Sequence, residues 1–91
     1  MAASKVEKEF TVTNELGLHF RAAAMLVRTL ADFTSEVTIT NGDTVADGRS
    51  VLDLMTLAAS RGTTLRVSAE GEDAENTVKA VGALIARNFA E

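Results

Sequence analysis

The spacing of hydrophobic positions changes repeatedly along the chain, and each change marks an element. In VEKEFTVT, Val6, Phe10 and Val12 fall on alternate positions, a period of two that predicts a strand with one buried face. Asn14 and Gly17 interrupt that period in NELGLH. From Phe20 to Phe33, Ala22, Ala23, Leu26, Leu30 and Phe33 recur at three- and four-residue steps. This is an amphipathic helix with Arg21, Arg28 and Asp32 on its other faces. Val37 and Ile39 restore the alternation and run into Asn41-Gly42, a dipeptide suited to a hairpin turn with positive φ at both central positions. Thr44 to Ala46 is the returning strand.

Ser50 opens a second helix, and its spacing to Asp53 resembles a capping box. Leu54, Leu57 and Ala58 make the inner face of that helix, and Gly62 after Arg61 is its left-handed stop. Leu65, Val67 and Ala69 alternate in TTLRVSAE, a fourth strand. Gly71 to Asp73 lead into a last helix striped by Ala74, Val78, Val81 and Ile85. The order β-α-β-β-α-β-α implies an α+β fold, an open-faced two-layer sandwich with three helices on one face of a four-stranded sheet. With helical crossovers between parallel neighbours and one hairpin, that sheet is expected to be antiparallel or mixed.

Composition narrows what such a domain can do. Ninety-one residues form a single domain, 1–91, and 46% apolar with 24% charged is the balance of a folded globule. No apolar run reaches the roughly 18 residues that cross a bilayer. The start MAASKVEKEF lacks the apolar stretch of a secretory signal, which predicts a cytoplasmic protein without membrane insertion. With no cysteine there is no disulfide or thiolate chemistry, and one histidine cannot anchor a structural metal site. The net charge of −4 argues against nucleic acid as a partner. No cofactor motif is present.

His19 is therefore the first candidate for side-chain chemistry near neutral pH. It stands at the predicted N-terminal end of the first helix, where unpaired backbone amides and the helix dipole favour an anion. Arg21, two residues on, can fork onto phosphate oxygens. Nucleophile, anion cradle and arginine together suit a phosphoryl group carried on nitrogen. A lone histidine at a helix start is also commonly a cap or a surface residue, so these residues alone leave both readings open.

The segment TNELGLHFRAAAMLV resembles the active-site segment of the histidine phosphocarrier (HPr) family of the bacterial phosphotransferase system, whose pattern is approximately GLHARPA followed by an apolar helix. GRSVLDLMTLAASRGTTLRVSAEGED is similar to the second family signature, and the likeness runs over roughly residues 6–91. The resemblance implies that His19 accepts a phosphoryl group on Nδ1 from enzyme I and passes it to an enzyme IIA, with Arg21 on the phosphate. Such a carrier is a stoichiometric intermediate without turnover of its own. Ser50 would be a helix N-cap and also a site for a regulatory serine kinase and phosphorylase.

Three positions depart from the pattern: Phe20 follows the histidine where a small residue is usual, Ala22 replaces proline, and Asp53 stands where Gly or Lys is common. TNELGLH and the ending ALIARNFAE look more like the nitrogen-related branch than the sugar-transport form. Off the inner stripes lie Phe20, Met25, Leu52 and Met55, an expected partly exposed apolar patch around His19. Arg21, Arg28 and Arg49 are expected to flank it as a local basic cluster where the protein partners of a monomeric carrier dock. The rival reading is a non-catalytic module that regulates transcription factors or enzymes through the same face. Relatives of that kind tend to lack the histidine retained here.

Overall fold

The computed structural model describes residues 4–90. Its strands are β1 (Ser4–Thr11), β2 (Glu36–Asn41), β3 (Thr44–Asp47) and β4 (Thr64–Gly71), and its helices are α1 (Phe20–Leu30), α2 (Val51–Met55) and α3 (Ala74–Ala86). A tight turn, Asn88–Ala90, follows.

The sheet runs β1-β4-β2-β3 and every neighbouring pair is antiparallel. Of the antiparallel and mixed alternatives the antiparallel one forms, and the parallel neighbours read from the two helical crossovers do not. The crossovers do join strands of like direction, but β4 lies between β1 and β2, and β2 lies between β3 and β4. This is the split βαβ arrangement, in which each inserted strand supplies the antiparallel ladder its neighbours need.

All three helices cover one face. Val37 and Ile39 of β2, Ala46 of β3, and Leu65, Val67 and Ala69 of β4 point into the core, where they meet Ala22, Ala23, Leu26 and Leu30 of α1. Ala74, Val78, Val81, Leu84 and Ile85 of α3 complete it. The alternate strand positions are largely solvent-facing, as the period of two requires, and carry polar pairs such as Glu9 opposite Arg66. The β1 residues Val6 and Phe10 are only partly buried because β1 is an edge strand. Gly82 of α3 lies directly over the Phe10 ring, where any Cβ would overlap it.

Several boundaries differ from the sequence reading. The hairpin turn is centred on Gly42-Asp43, one residue later than expected, with Asn41 paired to Thr44. Only Gly42 has positive φ (60°), the requirement of a type II′ turn and not of type I′. Asn41 is instead fixed by its side chain, whose Nδ2 donates to the Leu57 carbonyl at 2.9 Å.

Helix α1 ends at Leu30, so Phe33 lies beyond it and is half-buried. Helix α2 is five residues long and ends at Met55, where the Thr56 hydroxyl donates back to the Asp53 carbonyl at 2.6 Å. Leu57 is still buried, but Ala58 is exposed with a φ of 49° and belongs to no helical face. Gly62 serves the turn into β4, donating its amide to the Val12 carbonyl at 2.8 Å.

Candidate functional site

The segment between β1 and α1 is held by a closed set of local bonds. Asn14 is buried and its Nδ2 donates to the Gly17 carbonyl at 2.7 Å, while the Gly17 amide returns to the Asn14 carbonyl at 3.1 Å. Gly17 takes a φ of 68°, and its Cα faces the Ala59 carbonyl with no room for a side chain. The next amide, Leu18, donates to that same carbonyl at 2.8 Å, and the Leu18 side chain enters the core. The chain therefore reaches residue 19 from a fixed direction.

His19 is the N-cap of α1, with extended backbone (φ −81°, ψ 179°). Its carbonyl accepts the Ala23 amide at 2.9 Å and its ring Nδ1 accepts the Arg21 amide at 3.2 Å. A ring nitrogen that accepts carries a lone pair, so in the neutral imidazole the proton sits on Nε2. The histidine thus does the work usually done by a Ser or Asp side chain at this position. No acidic residue occupies the first turn of α1, so nothing there competes for the positive end of the helix dipole.

A shallow, largely apolar recess at this end of the molecule is lined by Leu16, His19, Phe20 and Arg21. Leu16 and Phe20 are 70% and 65% exposed. Leu16 was not singled out from the sequence. It sits in the turn closed by Asn14 and Gly17, and the N-x-x-G spacing of such a turn was the signal that could have placed it outward.

The remaining sequence candidates divide. Leu52 is 81% exposed and Met55 39% exposed on α2, while Met25 is half-buried against the core, so the expectation of partial exposure holds for Phe20, Met25 and Met55. Arg28 is exposed but lies in the last turn of α1. At 1.5 Å per residue that is roughly 13 Å along the axis from His19.

Arg49 does not join a basic cluster at the histidine. Its Nη1 donates to the Leu30 carbonyl at 2.7 Å, and its Nη2 to the carbonyls of Phe33 and Ser35 at 2.8 and 2.9 Å. The guanidinium fork closes the C-terminal end of α1, where unpaired carbonyls and the negative end of the dipole gather. It also lines a second depression of about 540 Å³, shared with Ser35, Asp47 and Asp53.

Ser50 is the N-cap of α2, its Oγ accepting the Asp53 amide at 3.2 Å. The expected capping box is only half made. Asp53 Oδ2 accepts the Asp47 amide at 2.9 Å, and the Ser50 amide goes to the Asp47 carbonyl at 3.1 Å.

Asp73, before α3, gathers donors from the α1–β2 junction. Its carboxylate accepts the Thr34 amide at 2.8 Å, the Ser35 amide at 3.0 Å, the Ser35 hydroxyl, and the Thr77 hydroxyl at 3.2 Å. The Ser35 hydroxyl and then the Thr34 amide hold its pKa down, from 3.8 to about 2. Among the described residues no group of His, Asp and Glu is arranged to hold a metal ion, and no helix is long and apolar enough to cross a membrane.

Residues 6–87 match the family described as "PTS HPr component phosphorylation site". The phosphocarrier protein HPr of Xylella fastidiosa (strain Temecula1) is 42% identical over 86 residues, covering 94% of this chain and 97% of that protein. The multiphosphoryl transfer protein of Salmonella typhimurium is 46% identical over 86 residues, but the chain spans only 23% of its length. Among solved structures, that of HPr-C-His from Thermoanaerobacter tengcongensis superposes with a TM-score of 0.89 at 34% identity, over 94% of this chain and 97% of that one.

Proposed function

This chain belongs to the HPr family, the phosphocarrier component of the phosphotransferase system, and we propose that it carries the phosphoryl group on Nδ1 of His19. The observation that supports this reading most directly is the bond from the Arg21 amide to Nδ1. It aims the nitrogen lone pair at the N-terminal end of α1.

In the transfer, Nδ1 attacks the phosphorus of a donor phosphohistidine. A new N–P bond forms, the donor's N–P bond breaks, and the donor imidazole leaves with that electron pair. The Arg21 amide gives up its bond to Nδ1 and turns to a phosphoryl oxygen, so the helix end that capped itself with imidazole now binds the anion. The Arg21 guanidinium, lining the same recess, forks onto the remaining oxygens. A few amides and one arginine stabilise the phosphoryl group moderately. It can then be handed on by the reverse chemistry.

The donor is enzyme I and the acceptor an enzyme IIA, and the carrier works as a cytoplasmic monomer. Ser50 is a regulatory site in this reading. A kinase would place a dianion at the α2 N-cap, beside exposed Leu52 and Met55, where it repels partners that approach that surface. A phosphorylase would remove it.

The test is incubation with phosphoenolpyruvate and enzyme I of the sugar or the nitrogen type, followed by intact-mass analysis of the native protein and His19→Ala. Charging of the native protein alone is the expected result, and the enzyme I that achieves it identifies the branch. A native protein left unmodified by both types would overturn the carrier role.

A further inference from the structure

Large apolar side chains are nearly all consumed by the core. Among the described residues the exposed exceptions are Leu16, Phe20, Val45, Leu52 and Met55. Two of them, Leu16 and Phe20, belong to the same recess as the histidine, one three residues before it and one directly after. Neither position asks for an apolar residue on folding grounds. Leu16 tips a polar turn, and Phe20 is the first residue of α1, facing away from the Ala22-Ala23-Leu26 stripe.

Their placement matters for a phosphorylated ring. When the group is lost to solvent, a water oxygen bonds to phosphorus opposite Nδ1 and the N–P bond breaks. Nδ1 then keeps the electron pair, and inorganic phosphate departs with the water's protons shared between phosphate and solvent. The attacking water must be held in line, which takes hydrogen-bond partners on the solvent side of the phosphoryl group. In this recess the polar groups, the first-turn amides and Arg21, are the ones assigned above to the phosphoryl oxygens. The other lining side chains, Leu16 and Phe20, offer none. Bulky apolar walls both displace water and leave what remains without an orienting partner.

We propose that Leu16 and Phe20 act as a water screen that lengthens the lifetime of phosphohistidine at His19 between partners. The inference rests on the reading that His19 is the acceptor. Partner docking is not needed for it. The screen works on the isolated carrier, where no second protein excludes solvent.

The experiment charges the protein chemically with phosphoramidate, a small phosphoryl donor, removes the donor, and follows decay of the N–P signal by phosphorus NMR at neutral pH. Native protein, Leu16→Ala, Phe20→Ala, the double variant and Phe20→Leu are compared, with circular dichroism confirming that each is folded. Both alanine variants are expected to lose phosphate faster by at least about threefold, as removal of a water-excluding wall implies, and the double variant faster still. Phe20→Leu, which keeps apolar bulk, is expected to stay near the native rate. In concentrated urea all five should decay alike, because the screen exists only in the folded site. Charging at His19 followed by equal or slower decay in the folded double variant would overturn the screen alone. Failure of the native protein to charge, or equal charging of His19→Ala, would overturn the acceptor reading and the screen with it.

Discussion

The Leu18 amide donates to the Ala59 carbonyl at 2.8 Å, and this bond ties the segment that delivers the histidine to the turn after α2. Two parts of the chain some forty residues apart thereby set one position. Gly17 on one side and Ala58 on the other both take left-handed backbone to make the bond, with φ of 68° and 49°.

Gly17→Ala is expected to be costly. Its Cβ would meet the Ala59 carbonyl as well as impose a side chain on a left-handed residue, a combined loss of about 2 kcal/mol or more. A urea melt measures it, and phosphoryl acceptance at His19 should slow as the segment shifts.

Ala58→Gly should act in the opposite direction. The residue is exposed and loses no packing, so relief of left-handed strain outweighs the extra freedom of the unfolded chain, for a net gain of about 0.5 kcal/mol. An unchanged or lower melting midpoint would contradict the strain assigned to this turn.

Arg49→Lys tests the carbonyl fork. An ammonium cannot span the carbonyls of Leu30, Phe33 and Ser35 as a planar guanidinium does, and the expected loss is about 1–2 kcal/mol in chemical denaturation. A residue merely flanking a docking surface would leave stability unchanged.

Asp73 makes acid stability readable. Its folded pKa of about 2 lies below 3.8, so its bonds add stability that is fully present above about pH 4 and is lost as pH falls from there towards 2. Asp73→Asn should remove that part of the acid limb while lowering stability at neutral pH. A wild-type and a variant curve that stay parallel between pH 4 and 2 would exclude the clasp as its source.

Arg21→Ala should leave the fold within about 0.5 kcal/mol of native, since the side chain is exposed, while reducing the rate of phosphoryl acceptance roughly 30-fold, equivalent to one charge-assisted contact of about 2 kcal/mol. Quench-flow labelling separates the two effects.

Periodicity located most strands and helices, because inward-facing residues of a two-layer fold must repeat at two or at about 3.6 residues, while turn and cap residues placed β3 and the start of α2. It also placed His19 at a helix start beside Arg21. The ends of the elements were less legible. Nothing at Ala31, a strong helix former, announces the end of α1, where the Arg49 guanidinium holds the Leu30 carbonyl, and α2 stops where the Thr56 hydroxyl bonds back to the Asp53 carbonyl.

Pairing was decided only in three dimensions. A pattern of alternation tells which face of a strand is buried but not which strand lies beside it, so the interleaving of β4 between β1 and β2 was invisible in one dimension. The same holds for Arg49 and Asp73. The sequence reading placed Arg49 in a docking cluster and Asp73 merely before a helix, yet the junction after α1 leaves carbonyls and amides that a fork and a carboxylate satisfy across 14 to 39 positions of sequence. His19 and its helix were local and could be read from neighbouring residues. The bonds that aim it depend on distant backbone groups, whose meeting follows from the packing of the whole domain.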